Sequence, residues 1–335
     1  MPLLLDPSRT VRHNIVGTAL LDDPADGPSR SSADKCIDIG LLNIMPDAAL
    51  ESTERQFLTL LNAAANDFWI RVNFFSMPEV PRSERARNYL SQSYLDARDL
   101  RDADLDALIV TGTEPKAANL MDEPYWAALT NVIDWAEQHT ISTVWSCLAA
   151  HAAVLYLDDI ERQSVGEKCF GVFDFTTAGG HSIANGLPSR IQIPHSRYNE
   201  LPEQKLTSRG YRVLSKSAMA GVDTFIKQDK SLFLFFQGHP EYEAQTLLAE
   251  YRRDIGRFLR HERENYPNMP QGYFDDATAE HMTAFRAQAL KERNEELLEK
   301  FPAAATELKL SNTWRPFAAA IYRNWLSFIA AKKVR

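Results

Sequence analysis

"TVWSCLAAHAAVLYL", residues 143–157, runs from a short apolar stretch through one cysteine into an alanine-rich segment. "ISTVWS" has the length and β-branched content of a buried strand, and "LAAHAAVLYLDDI" is long enough and rich enough in helix formers to be a helix. A strand that passes almost directly into a helix puts the joining residue on a sharp turn at the edge of a sheet. Two readings of Cys147 follow. Free cysteine is among the most buried residue types, so the thiol can simply close the strand. Alternatively it is a nucleophile, displayed where the helix N-terminus and the next backbone N–H favour negative charge. The glycines that commonly flank such a nucleophile are missing.

The pattern repeats on both sides. "IDIGLLNI", the helical "LESTERQFLTLLNAAAN" and "WIRVNFF" form a β-α-β unit, followed by "LDALIVTG" and the helical "EPYWAALTNVIDWAEQ". This alternation predicts an α/β fold: a flavodoxin-like, mostly parallel sheet with helices on both faces. Between about residues 170 and 237, "CFGVFDF", "SRIQIP", "YRVLS", "GVDTFIK" and "SLFLFFQ" are separated by Gly, Pro, Ser and Asn, which predicts antiparallel additions to the same sheet. Two helical stretches, "EYEAQTLLAEYRRDIGRFLR" and 277–300, precede "WRPFAAAIYRNWLSFIAA", whose aromatic stripe suits a core or a subunit contact. Residues 1–34 are expected to be an extended lead-in, and 35–335 a single domain with a helical C-terminal extension.

A hydrophobic fraction of 44% and a charged fraction of 24% over 335 residues argue for a globular chain. No run of about 18 apolar residues suggests a membrane span. The first residues, "MPLLLDPSRTVRHN", lack the basic region and cleavage site of a signal peptide, so a cytoplasmic location is expected. Cys36, Cys147 and Cys169 are odd in number and far apart, which suits a reducing compartment. A net charge of -8 gives no footprint for nucleic acid.

A second motif bears on Cys147. "SLFLFFQGHPEYEAQTLLAEYRRD" puts His239 directly after an apolar strand, with Glu241 two residues on. In extended chain these two side chains point the same way, so the carboxylate can fix the imidazole tautomer or stabilise its charged form. A Cys147, His239, Glu241 triad is geometrically available. His151, one helical turn beyond Cys147, competes as base, although a nucleophile at the turn points away from the helix body. Cys147 and His151 also have the spacing of two metal ligands, but no further cluster completes a site and no metal is expected.

"LLNIMPDAALESTERQFLTLL", "LIVTGTEPKAANLMDEPYW", "STVWSCLAAHAAVLYL", "EKCFGVFDF", "PHSRYNE" and "GHPEYEAQTLLAEYRRD" occur in this order. Together with "NTWRPFAAAIYRNWL" they resemble the homoserine O-succinyltransferase and O-acetyltransferase family of the class I glutamine amidotransferase-like fold, from about residue 36 to 330. The resemblance implies ping-pong acyl transfer from acyl-CoA to the hydroxyl of L-homoserine in methionine biosynthesis, with no permanently bound cofactor and with a homodimer as the assembly. It implies Cys147 as the acyl-thioester residue, His239 as base, Glu241 as its orienting acid, and Lys168, Ser196 and Arg253 as substrate-binding residues. Backbone N–H groups of Leu148 and of the loop at Lys116 are the implied oxyanion donors.

Two places depart from the family pattern. The position tied to acyl choice, usually Gly with succinyl or Glu with acetyl, is Lys116, and Pro115 before it has no N–H to donate. A cation there favours succinyl-CoA over acetyl-CoA, by pairing with the distal carboxylate. Asp47 and Ala48 stand where many relatives carry lysines, so a lost CoA-phosphate contact or an altered acceptor, serine for homoserine, stays open. A glutaminase-type hydrolase and a non-catalytic binding protein are the competing functions.

Overall fold

The computed structural model describes residues 3–5 and 36–333. In chain order its first half comprises β1 (Leu3–Leu5), β2 (Cys36–Leu42), α1 (Leu50–Ala64), β3 (Trp69–Ser76), α2 (Glu84–Ser93), β4 (Leu95–Asp96), β5 (Ala107–Val110), α3 (Trp126–His139), β6 (Ser142–Ser146) and α4 (Leu148–Asp158). There follow β7 (Gln163–Thr177), β8 (Arg190–Glu200), α5 (Glu203–Ser208), β9 (Arg212–Val213), β10 (Ser215–Ser217), β11 (Gly221–Val222), β12 (Thr224–Gln228) and β13 (Leu232–Phe236). Helices α6 (Thr246–Leu259), α7 (Asp276–Glu292), α8 (Ala303–Glu307) and α9 (Arg315–Lys333) complete the chain.

The large sheet has the order β1-β3-β2-β5-β6-β13-β12-β9, parallel from β1 to β13 and antiparallel beyond it. β5 and β13 are apolar at every position and β5, β6 and β13 are buried along their whole length, because both faces are covered. Ile109, Val144 and Leu234 face α1 and α9, whereas Leu108, Trp145, Phe233 and Phe235 face α3 and α4. The chain moves from β2 to β3 on one side and then returns to β5 on the other. That reversal opens a crevice at the C-terminal strand ends, where α/β sheets hold their ligands.

The antiparallel region divides. β9 and β12 extend the large sheet as expected, but β7, β8, β10 and β11 form a separate four-stranded sheet, in the order β11-β10-β7-β8. Phe170 and Val172 of β7 join Tyr251, Phe258, Met282 and Phe285 of α6 and α7 in a smaller core. The expectation for the N-terminus also changes in part: Leu3–Leu5 pairs in parallel with Ile70–Val72, while the rest of the expected lead-in, residues 1, 2 and 6–34, lies outside the described residues.

The aromatic stripe of α9 is not a subunit contact in this fold. Phe317, Ile321, Tyr322, Trp325 and Leu326 are buried against the sheet of their own chain. The Trp325 indole N–H donates to Ser142 Oγ on β6 at 2.8 Å. Trp325→Ala is therefore expected to cost about 3–5 kcal/mol in urea unfolding, through the cavity and the lost hydrogen bond, although the Ser142 hydroxyl keeps its donation to Leu232 O. A loss below about 1 kcal/mol would mean that α9 is only loosely docked.

Candidate active site

The loops after β2, β5, β6 and β13 meet at one cleft, bordered by Met45–Pro46, Gly112–Pro115, Cys147–Leu148 and His239. Cys147 has φ 52 and ψ -113, a conformation that non-glycine residues rarely adopt. Its N–H donates to Phe236 O at 2.7 Å, and its carbonyl accepts from Ala150 at 3.0 Å and His151 at 3.3 Å. The residue is thus the last rung of β6 and the cap of α4 together, and this double commitment forces the sharp turn. Unlike buried Cys36, it is only partly covered, and its side chain borders the cleft. Burial pushes the thiols of Cys36 and Cys169 above their ordinary range.

The room a flanking glycine usually gives comes from the neighbouring loop. A Cβ on Gly112 would lie 3.1 Å from Cys147 Cβ and 3.1 Å from Leu148 N. Gly112→Ala is expected to lower kcat/KM at least tenfold by pushing the elbow or closing the space beside the Leu148 N–H. An unchanged kcat/KM would show that the loop yields freely.

His239 is 5% exposed, and its backbone N–H is fixed to Pro194 O at 2.9 Å. Its Nδ1 pairs with Glu241 Oε1 at 2.8 Å, which leaves Nε2 for the sulfur. Tyr242 stacks on the ring at 4.1 Å between centroids and 15° between planes. Burial alone would discharge this imidazole, but the charges of Cys147 and Glu241 outweigh it and hold its pKa well above the ordinary value. Just before it, Gly238 accepts close approach: a Cβ there would lie 2.7 Å from His195 Nε2 and 2.8 Å from Asp223 Oδ1.

His151 borders the same cleft, but its Nε2 is engaged by Gln237 Oε1 at 3.0 Å. Burial lowers its pKa to about 3, so it is neutral at physiological pH. Arranged this way it stands beside the cysteine without acting as its ionic partner.

Lys168, Ser196 and Arg253 come together around Glu250. Ser196 Oγ donates to Glu250 Oε2 at 2.5 Å, and Tyr242 Oη donates to Oε1 at 2.6 Å. Lys168 lies 3.5 Å from Glu250 and 3.1 Å from Asp254, while Arg253 pairs with Asp254 at 2.9 Å. Burial would raise both carboxyls, but Lys168 and Arg253 together hold them below the usual range. Glu250 and Tyr242 were not singled out in the sequence, although both lie inside "GHPEYEAQTLLAEYRRD"; placing Glu250 three residues before Arg253 on one helix was the available signal.

Lys116 lies elsewhere. Its side chain is exposed and absent from the cleft wall, and its N–H donates to the buried Glu123 Oε1 at 2.5 Å, next to Ala117 N–H at 2.7 Å. An amide already held by a carboxylate is not a waiting oxyanion donor, so this expectation is corrected; the loop residue packed closely beside Leu148 N–H is Gly112, where a Cβ would lie 3.1 Å from that nitrogen. Asp47 is likewise structural, accepting from Ser83 N–H at 2.8 Å and from Arg82 at 3.3 Å, whereas Ala48 borders the cleft. Among the described residues no group of three or more His, Cys, Asp or Glu could hold a metal ion.

A doubly wound α/β chain with a thiol on a strained elbow, faced by an imidazole and carboxylate pair, has the arrangement shared by enzymes that carry acyl groups on cysteine. A family model for homoserine O-succinyltransferase matches residues 26–335. The curated homoserine O-succinyltransferase of Rhodopseudomonas palustris is 45% identical over 99% of this chain and 100% of its own. That of Bradyrhizobium japonicum is 42% identical over 98% and 99%. Among solved structures, a glutamine amidotransferase from Methylobacillus flagellatus is 13% identical, with a TM-score of 0.47 over 88% of this chain and 95% of its own. The chain belongs to the homoserine O-succinyltransferase family, a family of acyltransferases.

Proposed function

We propose that the protein moves the succinyl group of succinyl-CoA, through a thioester on Cys147, to the hydroxyl of L-homoserine, a step of methionine biosynthesis. The observation that carries this reading is a part-exposed sulfur on the elbow, set against a buried imidazole that is braced by Glu241 at 2.8 Å. The cycle begins with thiolate and imidazolium as an ion pair. The sulfur attacks the thioester carbonyl, and the Leu148 N–H, unpaired as the first of a helix, receives the oxyanion with loop backbone at Gly112–Thr113. Collapse breaks the bond to CoA, whose sulfur leaves with the His239 proton.

Acylation then alters the base. The Cys147 charge was one of two that held the imidazole charged against burial, and the thioester removes it. Neutral His239 takes the proton of the homoserine hydroxyl as the oxygen attacks, and collapse restores the thiolate and imidazolium. Lys168, Ser196 and Arg253 bind the acceptor in this reading, the arginine fork suiting its α-carboxylate. A homodimer in the cytoplasm belongs to the same reading, supported by the family resemblance. No helix among the described residues is long and apolar enough to cross a membrane.

Initial rates with varied succinyl-CoA and homoserine test the reading. The expected result is a set of parallel double-reciprocal lines with O-succinylhomoserine as product. Ammonia release from glutamine with no ester formed would replace it with a glutaminase.

A further inference from the structure

Five lysine and arginine side chains border the cleft: Arg162, Lys168, Arg197, Arg253 and Arg257. Four are committed within the protein. Lys168 and Arg253 are paired with Glu250 and Asp254, and Arg257 pairs with Glu114 at 3.2 Å. The Arg197 guanidinium donates to His195 Nδ1 at 3.1 Å, to Asn199 O at 2.7 Å and to Ala220 O. Arg162, on the turn between α4 and β7, makes no hydrogen bond or ion pair among the described residues, although its side chain is half-buried. A partly desolvated guanidinium without a partner is costly unless a ligand supplies one.

The surroundings of Arg162 favour an anion from outside. Burial works against its charge, and Tyr125, Glu123 and Cys147 are the groups within its electrostatic reach. Glu123 is held by the N–H groups of Lys116 and Ala117 and forms no ion pair with Arg162. Tyr125 is 4% exposed, its hydroxyl has no partner, and burial keeps the phenol protonated and able to donate. His151, also within electrostatic reach of Arg162, gives its Nε2 to Gln237 and offers only an acceptor at Nδ1. Of these groups only the Arg162 guanidinium both borders the cleft and donates, and a guanidinium without a partner is chemistry for a carboxylate.

We propose that Arg162 determines acyl specificity: its guanidinium, which borders the same cleft as Cys147, receives the free carboxylate that a succinyl group on Cys147 carries two methylenes beyond its carbonyl. This takes over the task that the sequence assigned to Lys116, and it rests on the succinyl-transfer reading. Arg253 remains the partner of the acceptor's α-carboxylate, so the two carboxylates of the reaction meet different arginines.

The test is the ratio of kcat/KM for succinyl-CoA to that for its monomethyl ester, which lacks only the distal charge, in the full-length enzyme and in Arg162→Gln and Arg162→Lys. The ester needs no mutant, so the comparison stands even if a variant folds poorly. In the unaltered enzyme the ratio is expected to be about 10 to 100, as for a charge-assisted hydrogen-bonded pair. It should fall close to one in Arg162→Gln and lie between these values in Arg162→Lys, with the KM for homoserine little moved. An unaltered enzyme indifferent to the methyl ester overturns the inference, as does a ratio that survives Arg162→Gln, or a variant whose defect appears only in the KM for homoserine. Failure of the unaltered enzyme to acylate Cys147 with either donor overturns the succinyl-transfer reading itself, and the inference with it.

Discussion

Cys147→Ala is expected to lower kcat for succinyl transfer by about ten-thousandfold or more and to leave no covalent intermediate. The expectation follows from where the sulfur lies rather than from its identity alone. The residue borders the cleft, stands against His239, and directly precedes Leu148, whose amide at the start of α4 has no helical partner. Alanine keeps the Cβ and so keeps the strain of φ 52, which makes the loss chemical. Cys147→Gly should lose the same activity but unfold at higher denaturant than Cys147→Ala, because glycine adopts positive φ freely; the gain should be about 1 kcal/mol. Retained turnover in either variant would remove the thioester from the mechanism, and equal stabilities would remove the strain from the elbow.

His239→Ala is expected to cost about a thousandfold in kcat, since the same imidazole serves as counter-ion in one half-reaction and as base in the other. The half-reactions should separate with pH. A pKa raised above the ordinary imidazole value keeps the ring protonated, so the ion pair and single-turnover acylation should persist well above pH about 6.5. In the acyl-enzyme the charge of Cys147 is gone and burial works against protonation, so transfer to homoserine should be lost only at lower pH. Acylation that instead fades as pH rises through about 6.5 would show that Cys147 and Glu241 do not hold the proton on His239. Glu241→Gln should move the loss of acylation toward that pH, because it removes one of the two charges, 2.8 Å from the ring.

The sheet, and the placing of Cys147 and of the His239–Glu241 pair at its edge, were legible because each is a local pattern. Apolar strands that run into helices specify a parallel sheet, and residues at the ends of such strands must share one edge, wherever they lie in the chain. Cys147 and His239 meet for that reason. Lys116 could not be placed this way, because the path of its loop is set by a carboxylate seven residues later that captures two successive N–H groups. Arg162 gave no sign at all, since an arginine on a turn reads as solvated until its neighbours are known. The separate sheet of β7, β8, β10 and β11 was missed because antiparallel hairpins carry no signal for which sheet they join, and that choice depends on helices α6 and α7 packing beneath Phe170 and Val172. The α9 stripe was visible, yet a stripe does not say whether it covers its own sheet or another subunit.

The central claim is that the Cys147 sulfur itself carries the acyl group between two separate displacements. Intact mass spectrometry after mixing the enzyme with succinyl-CoA, in the absence of homoserine, tests it most directly. One succinyl group per chain, located on Cys147 by peptide mapping and discharged when homoserine is added, is the result expected. An unmodified chain that nonetheless produces O-succinylhomoserine once both substrates are present would contradict the claim.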